Sequence, residues 1–93
     1  MKKWYVYIVE CKDKTYYTGI TIDLKRRINE HNSKIGAKSI RGKLPVRLVL
    51  FENAENQISA AKREREIKSL SHIKKALLVK GLPRLLRVKR GEE

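Results

Sequence analysis

Residues 4–10 read Trp-Tyr-Val-Tyr-Ile-Val-Glu, an aromatic and β-branched run that turns polar only at its end. That pattern predicts a strand with both faces covered. Cys11-Lys12-Asp13-Lys14 supplies turn residues, and residues 15–21 predict a second strand. So short a connection makes the pair an antiparallel hairpin. Side chains alternate along a strand, so Tyr5, Tyr7 and Val9 share one face, as do Tyr17, Gly19 and Thr21. Tyr7 and Tyr17 can then project to the same side of the hairpin, with Gly19 leaving room above the backbone.

The period changes after Thr21. Asp23 is a good N-cap for a helix running to about Asn32, with Leu24, Ile28 and Ile35 as its apolar stripe. At about 100° per residue, Arg27 and His31 fall beside that stripe, one turn apart, and Arg26 points to the opposite face. Residues 33–45 read as a basic loop holding Gly36, Lys38, Arg41, Gly42 and Lys43. Residues 46–52 predict a third strand, apolar on both faces through Val46, Leu48, Val49, Leu50 and Phe51. A second helix is expected over about 56–70, with Ala60, Ile67 and Leu70 towards the core, Glu64 on the buried flank and Glu66 more outward. A third helix covers about 72–80 and stops at Gly81. The order β-β-α-β-α-α predicts an α+β domain over residues 1–82, a three-stranded antiparallel sheet flanked by helices. Residues 83–93 follow as a short helix or a basic arm.

Composition adds a partner to this picture. The 93 residues, 41% apolar, suffice for one modest core, and no linker or internal repeat divides them. Twenty-three Lys and Arg against ten Asp and Glu leave a net charge of +13. Such a density repels itself without a polyanion, and nucleic acid fits because each neutralised phosphate releases counterions. A membrane-surface binder would instead need a long basic amphipathic helix with aromatic anchors, which is missing. Lys25, Lys38, Arg41, Lys43, Lys74, Lys75, Arg84 and Arg87 are the candidate phosphate contacts. With no zinc finger or evident recognition helix, contacts to the backbone should dominate and sequence specificity is not indicated. DNA is the expected nucleic acid.

Cys11 is the single cysteine, which excludes an internal disulfide and a cysteine-cluster zinc site. It reads as a small, half-buried residue. The apolar run after Lys2 and Lys3 is too short for a signal peptide and lacks a cleavage site. No stretch is long enough to span a membrane, so the expected location is cytoplasmic. A monomer or weak dimer is expected, with a protein partner left open.

The hairpin and first helix together gather two phenols, a guanidinium and an imidazole, groups that can work on a phosphodiester. In order and spacing the chain resembles the GIY-YIG nuclease domain over about residues 4–76. Tyr5-Val6-Tyr7 corresponds to the first motif without its leading glycine, and Tyr17-Thr18-Gly19 to the second with Thr in place of Ile. Tyr17 follows Tyr7 by ten residues, Arg27 follows by ten more, and His31 lies one turn beyond. Ala60-Ala61-Lys62-Arg63-Glu64 matches the family pattern that selects Glu64 as metal-binding glutamate. Where many members carry a lysine after the second motif this chain has Ile20 and Thr21, and Lys74 and Lys75 lie near the place of a later asparagine. The overall look is similar to the small single-domain bacterial branch.

The resemblance implies hydrolysis of nucleic acid with a single Mg²⁺ (or Mn²⁺) held by Glu64 and waters. It implies Arg27 on the non-bridging oxygens, Tyr7 or Tyr17 orienting or deprotonating the water, and His31 accepting that proton. Simpler roles are open for each residue. Tyr7 and Tyr17 can be a cross-strand aromatic pair, and Glu64 can pair with Lys68 at i,i+4. Two other function classes are open as well, a non-catalytic nucleic-acid-binding module on the same fold and a nuclease subunit that needs a partner.

Overall fold

The computed structural model of the chain describes residues 3–81. The unbroken apolar run near its start is β1 (Trp4–Glu10), the central strand of a three-stranded antiparallel sheet. It lies between β2 (Tyr16–Thr21) and β3 (Arg47–Ala54). Val6, Tyr7, Ile8 and Val9 are all buried, because helices cover both sides of the strand that carries them. Cys11, read from sequence as half-buried, is fully buried and free.

The register divides the core in two. Tyr7 pairs with Gly19 on one side and Phe51 on the other, and Val9 pairs with Tyr17. Tyr7, Val9, Cys11, Ile40 and Val46 form one cluster, with Leu24 and Ile28 of α1 (Leu24–Asn32) packed on it. Val6, Ile8, Ala60 and Ile67 form the other, beneath α2 (Gln57–Lys68) and the Leu78–Val79 end of α3 (His72–Val79). A bulge between Ile8 and Val9 re-aims β3, so that Leu48 joins the first cluster while Val49 and Leu50 join the second.

Side-chain caps start all three α-helices. Asp23, Asn56 and Ser71 accept from the backbone N–H of Arg26, Ser59 and Lys74, each worth about 1 kcal/mol. Gly81 follows α3 at φ 80°, the left-handed stop expected of it.

Several expectations from the sequence need correction. Ile35 is not part of the α1 stripe but 68% exposed. The helix ends at Asn32, and Lys34 at φ 69° turns the chain before Ile35 can follow the helical period. The basic loop contains a 3₁₀ helix, Lys38–Lys43, whose Ile40 enters the core. Val46 precedes β3 rather than opening it, since the Asn32 side chain takes both its N–H (2.8 Å) and its C=O (3.0 Å). Phe51 is half exposed because β3 is an edge strand, and it meets the Tyr5 ring edge-on at 5.9 Å. Helix α2 stops at Lys68, two residues short of the expected end, leaving Leu70 half-buried beyond it. Arg84, Arg87 and the rest of 83–93 lie outside the described residues.

Thr18 is 3% exposed, and its hydroxyl has no hydrogen-bond partner among the described residues. Such a group is held at the cost of its lost hydration. Thr18→Val keeps the shape and removes the hydroxyl, so it should stabilise the fold by roughly 1 kcal/mol, read as a higher urea midpoint at unchanged slope.

Candidate active site

The hairpin fixes the first phenol. Tyr7 points from β1 across β2, and its ring lies over Gly19, where a β-carbon would stand 2.5 Å from the hydroxyl oxygen. Only a glycine lets the ring take this path. Tyr17, one pair along the same face, packs beside it with ring centroids 6.5 Å apart. Tyr7 is 1% exposed and Tyr17 is half-buried, so Tyr17 is the phenol nearer solvent.

Helix α1 supplies the next groups by its periodicity. His31 is 1% exposed, and its Nε2 lies 2.8 Å from the Tyr7 hydroxyl. Its ring also meets Tyr17 edge-on at 5.4 Å. Its Nδ1 receives the backbone N–H of Ala37 at 3.2 Å. Arg27, one turn earlier, donates to Glu30 Oε1 at 2.9 Å, and its guanidinium also acts on the Tyr7 oxygen. Arg26 points outward as its position on the helix requires, with its side chain 62% exposed.

Glu64 comes from the opposite face of the sheet. Helix α2 packs chiefly on β2 and β1. The Tyr7 ring reaches over β2 towards that same edge, which brings its hydroxyl within electrostatic range of the Glu64 carboxylate. The Glu64 side chain is 20% exposed and pairs with Lys68 Nζ at 3.2 Å. The pairing weighed from sequence is thus present, on a side chain that stays partly exposed.

No group of three or more His, Cys, Asp or Glu able to hold a metal occurs among the described residues. That donor set does not fit a cation needing an all-protein cage. It does fit Mg²⁺, which binds through one or two carboxylates and takes its other oxygens from water and substrate. Lys68, half exposed on a flexible stem, marks a cation position beside Glu64.

The charges act against one another on a single oxygen. Burial pushes the Tyr7 phenol up to about 12, with Tyr17 and Glu64 adding to the rise and Arg27 opposing it. Glu30 holds Arg27 firmly protonated. Burial, seconded by Arg27, lowers the His31 pKa and keeps the ring neutral, against a smaller opposing effect of Glu30. Glu30, Gly36 and Ala37 contact Arg27 or His31 in this cluster and were passed over by sequence reasoning. An i,i+3 Arg–Glu spacing could have flagged Glu30, whereas a backbone amide leaves no mark in side-chain chemistry.

The nucleic-acid candidates are more dispersed. Lys25, Lys38, Arg41 and Lys74 are exposed and Lys75 is half-buried. Lys43 lies 3.7 Å from Asp13, which ties one of these cations to the β1–β2 turn. Lys25 lines a shallow groove on the outer side of α1 with Asp23, Arg26, Asn29 and Glu30.

Two outcomes follow for this cluster. Gly19→Ala should destabilise the fold by about 1–3 kcal/mol, since the added methyl meets the Tyr7 ring, and urea unfolding measures it. Because the folded His31 pKa lies below 6.5, the unfolded chain takes up the proton first as pH falls. Stability from this group is therefore complete above about pH 6.5 and is lost on acidification below it. Urea midpoints should fall between about pH 7 and pH 5, and His31→Gln should flatten that slope.

Comparison with known proteins places these features. The model of the GIY-YIG catalytic domain matches residues 3–76. A UPF0213 protein of Haloquadratum walsbyi is 53% identical over 74 residues, covering 80% of this chain and 83% of its own. One from Syntrophus aciditrophicus is 46% identical over 84 residues, covering 89% and 97%. The solution structure of a UPF0213 protein from Bacillus halodurans superposes with a TM-score of 0.54 at 47% identity, covering 84% and 83% of the two chains. A solution structure from E. faecalis gives 0.56 at 36% identity, covering 84% of each. Among the described residues no helix is long and apolar enough to cross a membrane. With the domain model matching most of this chain and its curated relatives near half identical, this chain belongs to the GIY-YIG family, among the small UPF0213 proteins.

Proposed function

We propose that the protein is a metal-dependent endonuclease, hydrolysing phosphodiester bonds in DNA or another nucleic acid largely without sequence specificity. The observation that carries this reading is the convergence on the Tyr7 oxygen, with His31 Nε2 at 2.8 Å and both Arg27 and Glu64 acting on it. Aromatic core pairs have no need of a buried imidazole at hydrogen-bond distance from one hydroxyl, with a guanidinium and a carboxylate in electrostatic range of it.

Hydrolysis requires a nucleophilic water, neutralisation of the phosphate, and help for the leaving oxygen. Arg27 keeps four of its five N–H donors free of Glu30 and about a third of its side chain in solvent, so it can donate to the non-bridging oxygens as charge builds. Tyr17, the more accessible phenol, and Tyr7, the more firmly held one, are the candidates for orienting or deprotonating the water. Glu64 would hold a Mg²⁺ or Mn²⁺ ion, which neutralises phosphate charge and assists formation of the nucleophile. The net charge of +13, with Lys25, Lys38, Arg41 and Lys74 exposed, suits tracking of a phosphate backbone.

A second reading, the non-catalytic binding module, is favoured by one observation. Of Ile20 and Thr21, which stand where many family members have lysine, Ile20 packs into the core beneath α2, and Thr21 is buried with its hydroxyl accepting from the Asp23 N–H, so neither offers a cation to the site. A panel of single-stranded, duplex and branched substrates, with and without Mg²⁺, separates the two. The nuclease reading expects Mg²⁺-dependent cleavage that Glu64→Gln lowers by about a hundredfold or more. Salt-sensitive binding with no cleavage of any substrate, or equal cleavage by Glu64→Gln, would show the basic platform instead.

A further inference from the structure

His31 has a defined partner on each ring nitrogen, and one of the two can act in only one sense. The Ala37 backbone amide, 3.2 Å from Nδ1, has a proton to give and no lone pair to receive one. Nδ1 must therefore present its lone pair, and a neutral imidazole so held carries its single proton on Nε2. Nε2 is the atom 2.8 Å from the Tyr7 hydroxyl. We propose that His31 is a positioning residue locked in the Nε2–H tautomer by the Ala37 amide, donating to the Tyr7 oxygen rather than receiving a proton from it.

The local backbone is built for this contact. Gly36 lies against the ring, and a β-carbon there would run into Nδ1 and stand 2.8 Å from the His31 Cα and 3.0 Å from Cε1. A side chain at that position would hold the segment off and pull the Ala37 amide out of reach. Ala37 itself sits at φ −62° and ψ 133°, an unstrained extended conformation at the entrance to the 3₁₀ helix. The ring is 1% exposed, which leaves little room for water to replace either partner. Burial and the nearby Arg27 disfavour a second proton on the ring, so the Nδ1 lone pair persists at neutral pH.

The consequence concerns where the Tyr7 proton can go. An oxygen that accepts from Nε2–H directs its own hydroxyl proton away from His31. If Tyr7 ionises during the reaction, the phenolate retains this N–H donor and the Arg27 guanidinium. This reverses the expectation that His31 accepts the proton, and its catalytic meaning rests on the nuclease reading, whereas the tautomer does not.

Long-range ¹H–¹⁵N correlation on the uniformly ¹⁵N-labelled full chain, above the His31 titration, reads the tautomer directly. The expected pattern is Nε2 as the protonated, pyrrole-type nitrogen and Nδ1 as the pyridine-type one. Tyr7→Phe, which removes the Nε2 partner but not the Ala37 amide, should leave that pattern unchanged. An Nδ1–H tautomer in the native chain, or a switch of tautomer in Tyr7→Phe, would overturn the proposal. On a cleavable substrate, His31→Ala should lose about a hundredfold. His31→Gln, which offers an N–H near the Nε2 position but cannot take up a proton, should recover at least tenfold of that loss, about the scale of one donor. Equal loss in both variants would overturn the donor role. Absence of cleavage by the native chain would sink the nuclease reading alone, with the spectrum still deciding the tautomer.

Discussion

The Tyr7 ring crosses the neighbouring strand at Gly19, where the backbone has no β-carbon to obstruct it. This approach lets a residue of the central strand belong to the core and to the candidate site together. The ring fills the cluster with Val9, Ile40 and Val46, while its hydroxyl meets His31. Helix α1 is held at the right height by Leu24 and Ile28 on that same cluster, so the packing that stabilises the sheet also delivers the imidazole. Gly19 and Gly36 thus bracket the arrangement, one admitting the phenol and the other admitting the loop that closes over the histidine.

Burial sets the electrostatic terms. A phenol shielded from water resists ionisation, and here the rise reaches about 12 despite Arg27. The opposing carboxylate, Glu64, adds to that rise, and among the described residues its ion-pair partner is Lys68. Divalent charge or phosphate binding beside these groups would change the balance more than any movement of the rings, because the geometry is already assembled by packing.

Much of this was legible in the sequence, for physical reasons that differ by element. Strand alternation put Tyr7 and Tyr17 on one face, and a short turn fixed the hairpin, so their proximity needed no tertiary knowledge. Helical periodicity placed Arg27 and His31 together, and Asp23 marked where counting should begin. The stripe failed at Ile35 because Lys34 adopts a left-handed conformation, a choice that side-chain hydrophobicity does not announce. Ile40 was lost in a basic stretch, since a lone apolar residue among cations carries no period. Glu64 was picked out by the family pattern of a small residue four positions earlier, with helical periodicity adding only its buried flank, and its arrival from the opposite face depends on the edge position of β2 and on the sideways reach of Tyr7. The Ala37 amide was invisible because every residue but proline has one.

The Asn32 side chain, by bonding both backbone groups of Val46, substitutes for a strand partner and ties the end of α1 to the start of β3. Residues 33–45 are thereby closed at their base into a loop whose ends are fixed independently of its tip. Within that loop Gly42 is exposed, and among the described residues nothing lies within 4 Å of where a β-carbon would stand. Gly42 lies between Ile40, which is buried, and Lys43, which is tied to the β1–β2 turn, so anchors on both sides leave it the point at which the loop can be grafted. Closure entropy grows only slowly with loop length, so an extension at the tip adds little to the cost of folding. Length and sequence can vary there over evolutionary time while the loop's first residues keep their place over the histidine, which separates diversification of the basic rim from preservation of the buried cluster.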